Sequence, residues 1–249
     1  MKRLRVPVAN LTEGRGELAS DEAHYVGRVH RLGAGDCFLA FDPLHAMEAD
    51  ATVLQARRGR VTYQIACLRP AGHVAVRPLW LLLGTCKGER FDLALREATA
   101  LGVTDIVPTV CARSKLRELQ GGRGQRWERM AVQGARQAGR GDLPRVHPPV
   151  MYDQALQLAP FERMLRVCLW ESATEPLRQW LRDADSLRGA VLVVGPEGGL
   201  EAEEVEAARV MGYSIASMGR FVLRTETAVI AALGAWSVAV GETPYTESR

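Results

Sequence analysis

The rhythm of apolar and polar positions changes near residue 72. Before it, β-forming stretches at Asp36 to Phe41 and Val61 to Leu68 are punctuated by Gly33-Ala34-Gly35-Asp36 and Arg58-Gly59-Arg60, which are turn signals. Apart from a short helix expected at Ser20 to Val29, no helical period appears, so residues 1–72 predict a small β-barrel or β-rich module. Pro70-Ala71-Gly72 and Pro78 then interrupt the chain. Beyond them strands and helices alternate. Apolar runs predict strands at Leu79 to Gly84, Asp105 to Val110, Arg166 to Trp170, Ala190 to Val194 and Tyr213 to Ser217. Helices are expected at Glu89 to Leu101, Gln125 to Ala138, Glu175 to Arg182, Ala202 to Met211 and Glu226 to Ala239. Phe91, Leu95, Ala98 and Leu101 fall on one face of the first of these. Strands alternating with helices predict an α/β domain with a mainly parallel sheet over residues 73–249.

Composition narrows the classes. The 249 residues are 47% hydrophobic and 24% charged, the profile of a globular protein with a sizeable core. No apolar run, Leu79 to Leu83 included, is long enough to span a bilayer. No apolar stretch follows the basic Met1-Lys2-Arg3-Leu4-Arg5, so the cytoplasm is expected and no membrane partner. Cys37, Cys67, Cys86, Cys111 and Cys168 form no CxxC pair, so neither a disulfide framework nor a metal site is expected. Charge is uneven: residues 71–150 carry 13 Lys and Arg against 7 Asp and Glu, whereas residues 151–249 are net acidic. That asymmetry is compatible with a polyanionic partner and with a merely solvated basic surface.

Two loops stand where an open α/β sheet presents its ligand sites, beyond the carboxyl ends of strands. Ala190 to Val194 runs into Gly195-Pro196-Glu197-Gly198-Gly199. Glycines there let a ligand approach the backbone, and Pro196 stiffens the turn. Glu201, Glu203 and Glu204 load the next helix start, which disfavours a phosphate. The second loop, Ser217 to Arg224, leads into Thr225-Glu226-Thr227. Thr225 reads as an N-cap. Arg224 breaks the local rule, because a cation is disfavoured at a helix N-terminus, and a residue that breaks a local rule is a functional candidate. Locally, a strand-to-helix turn and a helix cap also explain these segments.

A third feature is an arginine stripe. Arg126, Arg129, Gln133, Arg136 and Arg140 would line one helical face, with Trp127, Met130, Ala131, Ala135 and Ala138 behind it. Uncompensated like charges repel, so the stripe suits an anion. Familiar signatures are absent: no GxxxxGK[ST], no full GxGxxG, no HExxH, no GxSxG. The five histidines are dispersed.

Together these segments resemble the RsmE-type family of 16S ribosomal RNA uridine-N3 methyltransferases, of the SPOUT superfamily. The resemblance covers nearly the whole chain. His24, Arg28-Val29-His30-Arg31-Leu32 and Gly35-Asp36 are similar to the family's PUA-like RNA-binding barrel. Lys87, Arg96-Glu97-Ala98-Thr99, Leu101-Gly102-Val103 and Pro108 resemble its first strand-helix-strand unit. Arg113-Ser114, Arg126-Trp127 and Gln137-Ala138-Gly139-Arg140 resemble its loop and central helix. The most specific motifs are Gly195 to Leu200 and Gly219 to Ala228. One departure is Arg136, where the family commonly has an acidic residue. The resemblance implies a PUA-like barrel followed by a SPOUT α/β domain with a C-terminal trefoil knot, S-adenosylmethionine as donor, and a homodimer acting on 16S rRNA or the small ribosomal subunit. It implies cofactor contacts at Leu169, Gly195, Pro196, Glu197, Gly198, Gly199, Met218, Gly219 and Leu223. Arg224 would hold the uridine, oriented by Glu226. Arg28, Arg31, Arg113, Arg126, Arg129, Arg136 and Arg140 would bind RNA. Another RNA target, or a non-catalytic RNA-binding assembly factor on the same scaffold, stays open at this point.

Overall fold

The computed structural model describes residues 4–57, 59–114, 123–159 and 162–241. Arg58 of the expected turn and the basic Met1, Lys2 and Arg3 lie outside them. The chain forms two compact units, Met1–Val74 with Ala135–Leu143, and Ala75–Gly134 with Pro144–Arg249.

The first unit is built on a mixed sheet. Strands β1 (Arg5–Pro7), β2 (Gly14–Ala19), β3 (Cys37–Asp42), β4 (Met47–Arg57) and β5 (Arg60–Ile65) lie in the order β1-β3-β4-β5-β2, and β6 (Arg69–Pro70) pairs with β4. β1 runs parallel to β3 and the other pairings are antiparallel. Period-two alternation buries Ala49, Ala51 and Val53 on one face of β4, where they meet Phe38, Val61, Tyr63 and Ile65. Helix α1 (Ser20–His24) passes directly into a π-helical turn, Tyr25–Val29, closed by His30 N–H donating to the Tyr25 carbonyl at 3.0 Å. Sequence patterning expects this short helix but not β4, whose inward positions are filled by small and charged residues.

The charged ones are held by ion pairs. Glu48 is buried and takes Arg5 Nη1 at 3.4 Å and Arg69 Nε at 3.2 Å. Arg5 also donates to the Arg140 carbonyl at 3.3 Å. Asp42 is 1% exposed. It accepts the backbone N–H groups of Leu11, Leu44 and His45 and the ring Nδ1–H of His45 at 2.9 Å. Burial works to raise this carboxyl's pKa, but those four hydrogen bonds outweigh it and hold the value below the ordinary 3.8.

The second unit carries a seven-stranded, wholly parallel sheet. Its strands are β7 (Leu79–Gly84), β8 (Asp105–Val110), β9 (Arg145–Val146), β10 (Val150–Met151), β11 (Met164–Leu169), β12 (Gly189–Val194) and β13 (Ser214–Ala216). Their order is β10-β8-β7-β12-β11-β13, with β9 also on β8. β12 is buried along its whole length, as the unbroken apolar run predicts for a strand covered on both faces. Helices α2 (Gly88–Ala100), α3 (Arg123–Ala138), α4 (Tyr152–Leu158), α5 (Leu177–Trp180), α6 (Ala202–Val210) and α7 (Thr225–Ala239) connect or flank these strands. α5 is shorter than the expected Glu175 to Arg182. α4 was not expected at all.

Helix ends follow local chemistry. α2 stops because Gly102 takes φ +86°, a left-handed conformation open to glycine, and its N–H closes onto the Thr99 carbonyl. α6 starts in a capping box formed by Glu201 and Glu204. α3 approaches α2 closely at Gly134, where an added Cβ would lie 2.3 Å from the Arg96 carbonyl oxygen. No helix among the described residues is long and apolar enough to cross a membrane, and no cluster of three or more His, Cys, Asp or Glu side chains there could hold a metal ion.

Two outcomes test these packing claims. Gly134→Ala should destabilise the protein by about 1–3 kcal/mol, because the backbones must separate; thermal melting would measure it. Asp42, with a depressed folded pKa, contributes stability that is complete above the unfolded value and is lost as pH falls through the folded one. Asp42→Asn should therefore flatten the acid limb below about pH 4 and cost about 1–3 kcal/mol at neutral pH through weakened buried hydrogen bonds. Urea unfolding across a pH series reads both effects.

Candidate functional site

The carboxyl ends of β11, β12 and β13 open onto a cleft of about 260 Å³. It lies where β12 inserts between β7 and β11, the kind of position at which open α/β sheets bind ligands. Each loop is fixed differently. After β12, Gly199 N–H donates to the Pro196 carbonyl at 2.9 Å, closing a turn around Glu197 and Gly198, and Gly199 takes φ +74°. After β11, Trp170 N–H donates to the Ala216 carbonyl and Ala173 N–H to the Trp170 carbonyl, which tethers the turn carrying Glu171 to β13. After β13, Met218, Gly219, Phe221, Val222 and Leu223 complete the wall.

All nine residues expected to contact a cofactor line this cleft: Leu169, Gly195, Pro196, Glu197, Gly198, Gly199, Met218, Gly219 and Leu223. A side chain would be crowded at several of them. A Cβ on Gly195 would sit 2.9 Å from Leu200 Cγ, one on Gly198 3.0 Å from Arg113 Cβ, and one on Gly199 3.0 Å from Glu171 Oε1. Val194, Leu200, Thr225, Ala228, Trp170, Glu171, Phe221 and Val222 also line it. Sequence reading named none of these eight as cofactor contacts, although Leu200, Phe221, Val222, Thr225 and Ala228 fall inside the two most specific motifs. For Trp170 and Glu171 the available signal was their position just beyond the end of β11. Phe221 and Val222, 73% and 80% exposed, lie inside the motif Gly219 to Ala228 but carry no signal of their own for a cofactor contact.

The start of α7 differs from expectation. Thr225 is not the N-cap: Arg224 occupies that position, with φ −67° and ψ 153°, and makes no side-chain cap. Thr225 is the first helical residue, and its Oγ1 donates to the Gly195 carbonyl at 3.2 Å. That hydroxyl ties α7 to the glycine loop in place of capping its own helix. Arg224 is exposed beside the helix N-terminus and does not line the cleft. Glu226 is 9% exposed, and its Oε2 has no hydrogen-bond partner among the described residues. No ion pair joins Glu226 to Arg224 among those residues.

The arginine stripe is not one uncompensated face. Arg126 pairs with Asp92, its Nε donating to Oδ2 at 2.6 Å. Arg140 lies beyond the end of α3, is 6% exposed, and grips Asp142 through Nε at 2.7 Å and Nη2 at 2.9 Å. These two are not the free cations that spacing alone implied. Helical periodicity reveals neither Asp92, which comes from α2, nor that Arg140 lies past the helix end beside Asp142. Arg136 stacks on the Tyr25 ring at 4.3 Å. Arg129 is exposed, with Nε donating to the Gln125 carbonyl. Arg113 reaches the cleft's rim, donating to the Gly198 carbonyl at 2.8 Å and facing Glu201 at 3.6 Å. Arg28 and Arg31 are exposed on the first unit.

Sheet, switch point and glycine-lined cleft are those of an α/β RNA methyltransferase domain, and a family model of that description matches residues 75–237. A ribosomal RNA small subunit methyltransferase E from Synechocystis sp. is 28% identical over 235 residues, covering 93% of this chain and 75% of that protein. The protein of the same name from Mycobacterium bovis is 30% identical over 227 residues, covering 88% and 84%. The crystal structure of a ribosomal RNA small subunit methyltransferase E from Neisseria gonorrhoeae bound to S-adenosyl methionine matches with a TM-score of 0.84 and 25% identity, covering 95% of this chain and 98% of that one. The chain belongs to the ribosomal RNA small subunit methyltransferase E family.

The glycine loop has a direct structural test. Gly199→Ala combines a left-handed φ with a contact of 3.0 Å to Glu171, and should lower stability by about 1–2 kcal/mol. Chemical denaturation reads that loss, and a neutral result would show the turn to be tolerant.

Proposed function

We propose that this chain is an S-adenosylmethionine-dependent enzyme that methylates N3 of one uridine in 16S rRNA of the small ribosomal subunit. One observation carries the reading: a single cleft gathers the glycine loop after β12 and the loop after β13. The lining suits this cofactor. Backbone groups of Gly195, Gly198, Gly199, Met218, Gly219 and Leu223 are accessible to its polar parts, and Leu169, Val194 and Leu223 offer apolar walls. Among the described residues no basic side chain lines the cleft, Arg113 at its rim faces Glu201, and Glu201 and Glu204 occupy the start of α6, which disfavours a phosphate-bearing nucleotide.

When bound, the donor supplies a methyl group on a positively charged sulfur, a good leaving group. The chain's own task is then mainly alignment, which can supply on the order of 7–11 kcal/mol. Uridine N3 carries a proton at neutral pH and must lose it before or during attack. Arg224 holds the uridine's O2 or O4, where negative charge grows, and a cation there also eases loss of the N3 proton. Glu226, a carboxylate in the first turn of α7, fits that helix dipole and steadies the end that carries Arg224.

The first unit serves as a PUA-like RNA-binding module, with Arg28, Arg31 and the Tyr25-stacked Arg136 as phosphate contacts. Arg113 and Arg129 do the same on the second unit. Chain return from β13 to α7, which packs against α2 and β12, supports a knotted C-terminal segment. A second copy would cover α7, whose sequence has almost no polar side and leaves Ile230 and Val238 exposed at 39% and 84%.

Mass mapping of small-subunit RNA from a strain lacking the gene tests the target. One methyl should vanish from one uridine and return with the intact gene; unchanged methylation would sink the assignment. Arg224→Ala should slow single-turnover methyl transfer by about a hundredfold, roughly the loss of one charge-stabilising donor, with donor affinity changed by less than about twofold. Wild-type transfer would remove Arg224 from the mechanism.

A further inference from the structure

The cleft has an unbalanced charge. Among the described residues two acidic ones line it, Glu171 and Glu197, and no Lys, Arg or His does. Glu197 is neutralised by Arg90, with Nη1 3.0 Å from Oε1. Glu171 has no ion pair among the described residues. Its backbone is held in place, because Trp170 N–H is bonded to the Ala216 carbonyl and Ala173 N–H to the Trp170 carbonyl, on either side of the Glu171-Ser172 pair. Its carboxylate faces Gly199 so closely that an added Cβ there would be 3.0 Å from Oε1. The glycine loop therefore leaves space beside a single uncompensated negative charge.

Resting on the reading of S-adenosylmethionine as donor, we propose that Glu171 is the counter-charge for that donor's cationic sulfur and makes the cleft discriminate substrate from product. The donor carries a carboxylate, an ammonium and a sulfonium, a net charge of +1. On transfer, the S–CH3 bond breaks and its electron pair stays on sulfur, while the methyl carbon bonds to N3 and the N3 proton passes to solvent water. The spent cofactor, S-adenosylhomocysteine, has a neutral sulfur and no net charge. Attraction to Glu171 thus exists before transfer and is lost after it, so the cleft holds the charged donor and releases the neutral product. Glu171 is exposed, and solvent screens exposed pairs; the effect is accordingly several-fold and salt-sensitive.

Titration calorimetry on the full chain tests this with two ligands. Glu171→Gln should weaken S-adenosylmethionine binding about three- to tenfold and S-adenosylhomocysteine binding by less than about twofold. The wild-type preference for the charged ligand should shrink as salt rises, a dependence the Gln variant lacks. Glu171→Asp should recover part of the preference. Equal losses for both ligands would assign Glu171 to a part they share, such as the ribose hydroxyls, and overturn the proposal while leaving the cofactor reading intact; so would no loss for either. Wild-type protein that binds neither ligand would overturn both.

Discussion

The cleft exists because the peptide joining Gly195 to Pro196 lies against the bare Cα of Gly84. A Cβ on Gly84 would come within 2.3 Å of the Pro196 nitrogen, closer than any side chain can tolerate. β7 and β12 are neighbours in the sheet, paired from Leu79 and Ala190 to Leu83 and Val194. Their two ends can bend past each other only while position 84 is glycine. From that contact the rest follows. The glycine turn projects over the sheet edge, its Gly195 carbonyl faces the Thr225 hydroxyl, and α7 is anchored where it closes the cleft.

The same economy governs the charged residues, which mostly hold the protein together. Glu48 ties two arginines within the first unit, Arg140 clasps Asp142, and Arg126 clasps Asp92. Buried pairs of this kind add modest net stability, because desolvation offsets much of their attraction, yet removing one partner is costly. Their use here is positional: Arg5, Glu48 and Arg140 secure the short segment Ala135–Leu143 within the first unit.

Much of the second unit was legible in the sequence because its signals are local. β7 and β12 are apolar runs that only a doubly covered strand needs, and the glycine loop follows β12 directly. β4 was not legible, since Glu48, Asp50 and three alanines imitate a polar or helical stretch, and only Arg5 and Arg69, distant in sequence, make Glu48 acceptable inside. The cleft's side walls were hidden for a related reason. Trp170 and Glu171 become site residues only because β11 lies beside β12, a fact of sheet order that no short window contains. Thr225 shows how a local rule yields to a distant partner: threonine before an apolar helix reads as a cap, but its hydroxyl bonds to Gly195, 30 residues earlier.

The three loops that line the cleft are spread along the chain, the last of them ending in α7. A ribosome emits them in that order, so β7, β8, β11 and β12 are available long before Thr225 reaches Gly195. Until α7 docks, the glycine turn lacks one of its fastenings and the cleft lacks a wall. Ligand competence is therefore acquired only once α7 has been made and docked, and it is lost when α7 detaches.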